Sequence, residues 1–235
     1  MPRILLYAYL LLSLLTLWAE QRQSEFLIFV TKPFLLTLLS LWFYLRVRPM
    51  SGRFPRFILA GLIFSIGGDT LLMLVENGPK DEQFFLLGLA SFLLAQLSYM
   101  LGFANYPGAK EGGVVKAAWK AWPFVLYLAG IIAVLWPGIP GPMKAPVTVY
   151  ACAIVGMAIA AFNLRPLLAR QAFLGLMAGI LLFILSDSLI ALNKFRSEAF
   201  DIPYARLLIM STYLLGQYLI ARNAVRIWKR ETMNS

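Results

Sequence analysis

The chain has 235 residues, 60% of them hydrophobic and only 14% charged, with 21 Lys and Arg against 11 Asp and Glu. A soluble domain carries about 25% charged residues, so this composition is that of a membrane protein. There is no histidine and one cysteine, Cys152, which excludes a Ser-His-Asp triad, His-ligated zinc, an imidazole general base, an internal disulfide and a Cys-cluster metal site.

Apolar runs of roughly 17–25 residues read as transmembrane helices. Taken along the chain they are 4–19, 26–45, 57–75, 84–103, 121–136, 145–162, 171–192 and 204–221. The first follows Arg3 as a signal peptide would, but Leu17-Trp18-Ala19 lacks the small-x-small cleavage pattern, so it reads as a retained helix. The connections are short and hold breakers such as Asn77-Gly78-Pro79 and the run from Pro137 to Pro142. No stretch between spans is long enough for a soluble domain. The expected fold is all-α: a single polytopic bundle over residues 1–235 with eight transmembrane helices.

Alternate connections explain the basic excess. One side carries fourteen cations: Arg3, Arg46, Arg48, Arg53, Arg56, Lys110, Lys116, Lys120, Arg165, Arg170, Arg222, Arg226, Lys229 and Arg230. The other carries six: Arg22, Lys80, Lys144, Lys194, Arg196 and Arg206. The positive-inside tendency therefore places both termini in the cytoplasm, and the charge reads as topology and lipid-headgroup contact rather than as a nucleic-acid surface. All six tryptophans (Trp18, Trp42, Trp119, Trp122, Trp136, Trp228) lie near segment ends, where an aromatic belt would put them.

The halves of the chain echo each other. Lys32-Pro33 near the opening of segment two matches Lys144-Ala145-Pro146 at segment six. Pro49 matches Pro166, Asp69 matches Asp187, and Gln96 matches Gln217. These offsets run only from 112 to 121, the pattern of a 4+4 repeat with halves 1–103 and 121–221 in parallel orientation.

One cation, Lys32, and two carboxylates, Asp69 and Asp187, fall inside segments. A charge at the bilayer centre costs at least about 2.5–3.5 kcal/mol on insertion scales, so each is by default a candidate functional residue. Each lies six or seven residues inside the non-cytoplasmic end of its segment, a depth of roughly 10 Å. Common depth on three helices points to one shared polar site. Gly61, Ser65 and Asp69 form one helical stripe, and Gly175, Gly179, Phe183 and Asp187 another; small residues at this spacing let membrane helices approach, so both aspartates face protein. Ser186 flanks Asp187, Tyr150 falls near its depth, and Gln96, Tyr99, Tyr213 and Gln217 add polar groups on segments four and eight. Three readings of such a site stand: a structural ion-pair cluster, a proton-coupled transporter of lipid or small molecules, and a carboxylate-based enzyme.

The stretches Phe64-Ser65-Ile66-Gly67-Gly68-Asp69, Gly88 to Tyr99 and Ser186-Asp187-Ser188-Leu189-Ile190-Ala191-Leu192-Asn193-Lys194-Phe195, with Lys32-Pro33 and the Tyr213/Gln217 pair, resemble the signature of the YhhN-like family over nearly the whole chain. That resemblance implies a lysoplasmalogenase. Such an enzyme hydrolyses the vinyl-ether bond of 1-alkenyl glycerophosphocholine or glycerophosphoethanolamine to a fatty aldehyde and a glycerophospho-alcohol. The reaction calls for a proton donor, an anion facing the oxocarbenium ion and a positioned water, but for no metal or cofactor. Two carboxylates in different surroundings divide such roles, burial favouring the neutral acid and a nearby cation the carboxylate. The expected assignment is Asp187 as acid, Asp69 ionised beside Lys32, and Ser65, Ser186, Tyr150 and Asn193 orienting water or substrate. The partners implied are the lysophospholipid substrate and membrane lipids; Lys194 and Arg196 read either as interfacial membrane anchors or as contacts for the phosphate. Oligomeric state leaves no mark in the sequence.

Overall fold

A computed structural model describes residues 2–75 and 81–234. The predicted Asn77-Gly78-Pro79 turn and Lys80 lie outside the described residues. Among those described, the chain is helical and contains no strand. Its nine α-helices there are α1 (Pro2–Gln21), α2 (Glu25–Arg46), α3 (Phe54–Val75), α4 (Asp81–Ala104), the single turn α5 (Gly113–Lys116), α6 (Trp122–Leu135), α7 (Gly141–Asn163), α8 (Arg170–Phe195) and α9 (Ala205–Asn234). The long helices coincide with the eight predicted segments. Seven of them are long and apolar enough to cross a membrane; α9, the counterpart of the eighth segment, is not among these, since Arg206, Gln217, Arg222 and Arg226 dilute its apolar residues.

Two compact units make up the chain: Met1–Gly102 with Ala221–Ser235, and Phe103–Ile220. In the first, α1 and α2 form a hairpin whose turn closes through a bond from the Ser24 N–H to the Ala19 carbonyl at 3.0 Å. Tyr9, Ile28, Leu35, Leu36 and Leu39 are fully buried in this unit. Lys32-Pro33 sits well inside α2 rather than at its start, and the Thr37 hydroxyl donates back to the Pro33 carbonyl at 2.7 Å.

Glycines set the packing of α3 on α4. The Tyr99 ring lies over Gly61, Phe92 over Gly68, Leu72 over Gly88, and Ile58 over Gly102. These pairs step in opposite directions along the two helices, so the helices run antiparallel, with a large side chain filling the notch each glycine leaves. The Ser91 hydroxyl crosses to the Phe64 carbonyl at 2.7 Å.

In the second unit the loop after α4 is held to α7 by one side chain. Asn163 accepts from the N–H groups of Val114 and Val115 at 2.9 and 3.0 Å and donates to the Ala109 carbonyl at 2.7 Å. It thereby satisfies the exposed donors that begin α5. Backbones of α8 and α9 meet at Gly179 and Gly216, where a Cβ on either would stand 2.9 Å from the other's carbonyl oxygen. Helix α6 is the least covered: 6% of its span is buried, against 39% and 44% for α7 and α8.

The aromatic belt needs one correction. Trp18, Trp119, Trp122 and Trp136 are exposed, but Trp42 and Trp228 are 5% and 7% exposed and belong to the core. Position near a segment end does not decide which face of the helix a tryptophan occupies.

Candidate active site

Three consecutive residues of α8 reach three different helices. An α-helix turns about 100° per residue, so neighbours in sequence point to different faces. The fully buried Ser186 donates to the Ile209 carbonyl of α9 at 3.0 Å. Asp187 accepts, through Oδ2, a hydrogen bond from the Tyr150 hydroxyl of α7 at 2.5 Å. Ser188 is 2.5 Å from the Tyr127 hydroxyl of α6. Because Ser188 gives its single proton to the Ile184 carbonyl at 2.6 Å, Tyr127 is the donor in that contact. One turn of α8 is thus tied to α6, α7 and α9, with the carboxylate at its middle.

The surroundings keep this turn in place. Phe183, one turn earlier and fully buried, packs against Tyr213 with ring centroids 5.8 Å apart. The Gly179–Gly216 crossing lies one further turn along the same stripe, so the predicted Gly179, Phe183, Asp187 face does look into protein. Gln217, on α9, is fully buried. Asn193 and Lys194 are exposed at the C-terminal end of α8. Ser186, expected among the groups that orient water, spends its hydroxyl proton on the α8–α9 contact.

The remaining predicted residues lie in the other unit. Asp69 is half-buried on α3; the fully buried Ser65 donates to the Gly61 carbonyl at 2.9 Å, and Thr70 to that of Ile66 at 2.8 Å. Gln96 and Tyr99 on α4 are fully buried. The ion pair of Lys32 is with Glu20, its ammonium 3.8 Å from Oε1, the two side chains 14% and 2% exposed. The lysine stem carries its charge toward the helix end, where Glu20 closes α1.

Sequence reasoning passed over three residues here. Glu20 lies just past the first predicted segment, and an acid next to the hairpin turn stands opposite the opening of α2. Tyr127 is the single hydroxyl in α6, which was a signal. Asn163, at the end of an apolar helix, had none beyond its polarity.

The fold and this site define a class: an integral multi-pass membrane protein with carboxylates in its helical interior. The model of the YhhN family matches residues 27–224, and the chain belongs to that family. It is 37% identical over 172 residues to the lysoplasmalogenase TMEM86A of Homo sapiens, covering 72% of this chain and 65% of that protein. It is 30% identical over 210 residues to the lysoplasmalogenase TMEM86B of Homo sapiens, covering 89% and 80%. To a lysoplasmalogenase of Mycobacterium tuberculosis it is 29% identical over 178 residues, covering 71% and 63%. The match thus spans just under two thirds of the length of TMEM86A. No solved structure matches the chain.

Proposed function

We propose that the protein is a membrane-embedded hydrolase that cleaves the vinyl-ether bond of lysoplasmalogens. The relatives named lysoplasmalogenase support the substrate class, and the Tyr150–Asp187 hydrogen bond carries the mechanistic reading. The reaction begins with transfer of a proton to the β-carbon of the enol ether. The electron pair of the double bond forms the new C–H bond, and the ether oxygen donates its lone pair to give an oxocarbenium ion. Water adds to the α-carbon and loses a proton; the hemiacetal hydroxyl then gives up its proton as the C–O bond breaks and the departing glycerol oxygen takes one up, releasing a fatty aldehyde and a glycerophospho-alcohol.

Asp187 is the proton donor in this proposal. As its proton leaves, negative charge develops on the carboxyl group, and the phenol already aimed at Oδ2 becomes a charge-assisted donor. That bond strengthens from ground state to transition state, which is what accelerates a step. Asp69 is the second carboxylate, and Lys32, Ser65, Gln96, Tyr99, Ser186, Asn193, Lys194, Tyr213 and Gln217 are proposed to line the substrate's path. Eight spans with cytoplasmic termini and a 4+4 duplication complete the proposal; the one-sided basic residues support the orientation.

The experiment is direct. Purified protein, given 1-alkenyl glycerophosphocholine without added metal, should release fatty aldehyde, and Asp187→Asn should lower that release by about a hundredfold or more while eluting from a sizing column as the wild type does. Wild-type protein that yields no aldehyde above a protein-free blank removes the proposal.

A further inference from the structure

Above the Asp187 turn, the connection from α6 to α7 is seated on the end of α8. Gly138 packs so closely on the Phe195 carbonyl that no side chain would fit there, and the stem of Arg196 borders the same spot. The Lys144 ammonium, in the first turn of α7, stands 4.6 Å from the centroid of the Trp136 ring. The Nε of Arg196 is buried and has no hydrogen-bond partner among the described residues. A buried guanidinium N–H without an acceptor is unusual, because leaving such a donor unmade is costly.

The level of these cations follows from the helices that carry them. Tyr150 and Asp187 meet across α7 and α8, which fixes one common height. Lys144 precedes Tyr150 by six residues and Arg196 follows Asp187 by nine. In antiparallel neighbours both displacements run the same way, about 9 Å and 13 Å along the axes at the usual helical rise. Two cations, one clamped on an aromatic face and one with an unanswered donor, therefore stand on one side of the carboxylate. An arginine or lysine stem together with a glycerol backbone bridges such a separation.

We propose that Arg196 and Lys144 form a phosphate-recognition subsite that takes the phosphodiester of the lysophospholipid headgroup and so places its ether bond at the level of Asp187. This rests on the hydrolase reading above. The guanidinium offers planar N–H donors that match phosphate oxygens, and the ammonium a point charge. Lys194, the cation paired with Arg196 on sequence, is exposed; Lys144 opens α7 directly after the connection that is seated against Arg196.

Two measurements test the assignment. The first compares turnover of 1-alkenyl glycerophosphocholine with that of 1-alkenylglycerol, which lacks the phosphate. Arg196→Gln and Lys144→Gln should each raise KM for the phospholipid about tenfold or more and leave both constants for the alkenylglycerol unchanged, whereas Lys110→Gln on the loop before α5 should change neither. Equal losses on both substrates, or none, overturn the subsite. The second needs no turnover: calorimetric titration with 1-alkyl glycerophosphocholine, whose saturated ether is not cleaved, and separately with inorganic phosphate. Lipid binding that weakens in both variants supports the headgroup assignment even if no vinyl ether is ever hydrolysed. Binding of inorganic phosphate as tight as that of the lipid overturns it in favour of a free-anion site.

Discussion

The Tyr150 hydroxyl lies 2.5 Å from Oδ2 of Asp187, joining α7 to α8 at the one carboxylate of α8. Removing that hydroxyl tests the role given to it. A hydrogen bond to a charged group contributes about 1.5–3 kcal/mol, and each 1.36 kcal/mol of barrier is tenfold in rate. Tyr150→Phe should therefore lower kcat by about ten- to a hundredfold with KM nearly constant, because the bond gains strength only as the proton leaves. A variant whose KM rises while kcat holds would make Tyr150 a substrate contact instead.

Lys32 and Glu20 supply a separate test, on stability. Breaking a buried pair by removing one partner leaves a charge uncompensated and costs up to about 3–5 kcal/mol, less where a side chain keeps some solvent, as Lys32 does. Lys32→Met and Glu20→Gln should each lower the melting temperature in detergent, and the double variant should recover most of the loss. If aldehyde release by the double variant equals that of the wild type, Lys32 serves the α1–α2 hairpin and not Asp69. A double variant that is stable but inactive returns Lys32 to the site.

What could be read from the sequence, and what could not, divides along a physical line. Segment positions were legible because hydropathy sums over some twenty residues, and each predicted segment coincides with one long helix. The depth of Tyr150 was legible because rise per residue is nearly constant, and it does meet Asp187. Rotation about the helix axis was not. Ser186 and Ser188 flank the same carboxylate in sequence, yet one faces α9 and the other α6. Trp42 and Trp228 are buried for the same reason, since position along the chain does not set which face of the helix they occupy. Lys32 and Glu20 show a third gap: a long side chain pairs with a charge beyond its own level, and only side-chain geometry reveals it.

The glycine crossing of α8 and α9 makes a prediction that depends on backbone alone. A Cβ on Gly179 would stand 2.9 Å from the Gly216 oxygen, the Ile220 nitrogen and the Leu219 Cβ, atoms that cannot move without shifting α9. Gly179→Ala should destabilise by about 1–3 kcal/mol, as overpacking does. Gly130 on α6 has nothing within 4 Å of an added Cβ, so Gly130→Ala should be neutral or stabilise by about 0.4–1 kcal/mol through reduced freedom of the unfolded chain. Thermal unfolding in one detergent compares them; equal effects would mean that α8 and α9 do not meet at these glycines.

The two intramembrane aspartates separate catalysis from architecture. Acid–base groups contribute typically 10²–10⁴-fold to rate, so Asp187→Asn and Asp69→Asn should each lower aldehyde release by about a hundredfold or more. Asparagine keeps the shape and still accepts a hydrogen bond, so the Tyr150 contact survives in Asp187→Asn while the transferable proton is gone. Melting temperature should accordingly move little. Unfolding of either variant at temperatures where the wild type is intact would favour the ion-pair cluster over the enzyme for that residue. Full activity in Asp69→Asn, with Asp187→Asn inactive, would leave the reaction to a single carboxylate and assign the oxocarbenium ion's counter-charge to the Asp187 carboxylate left behind by proton transfer.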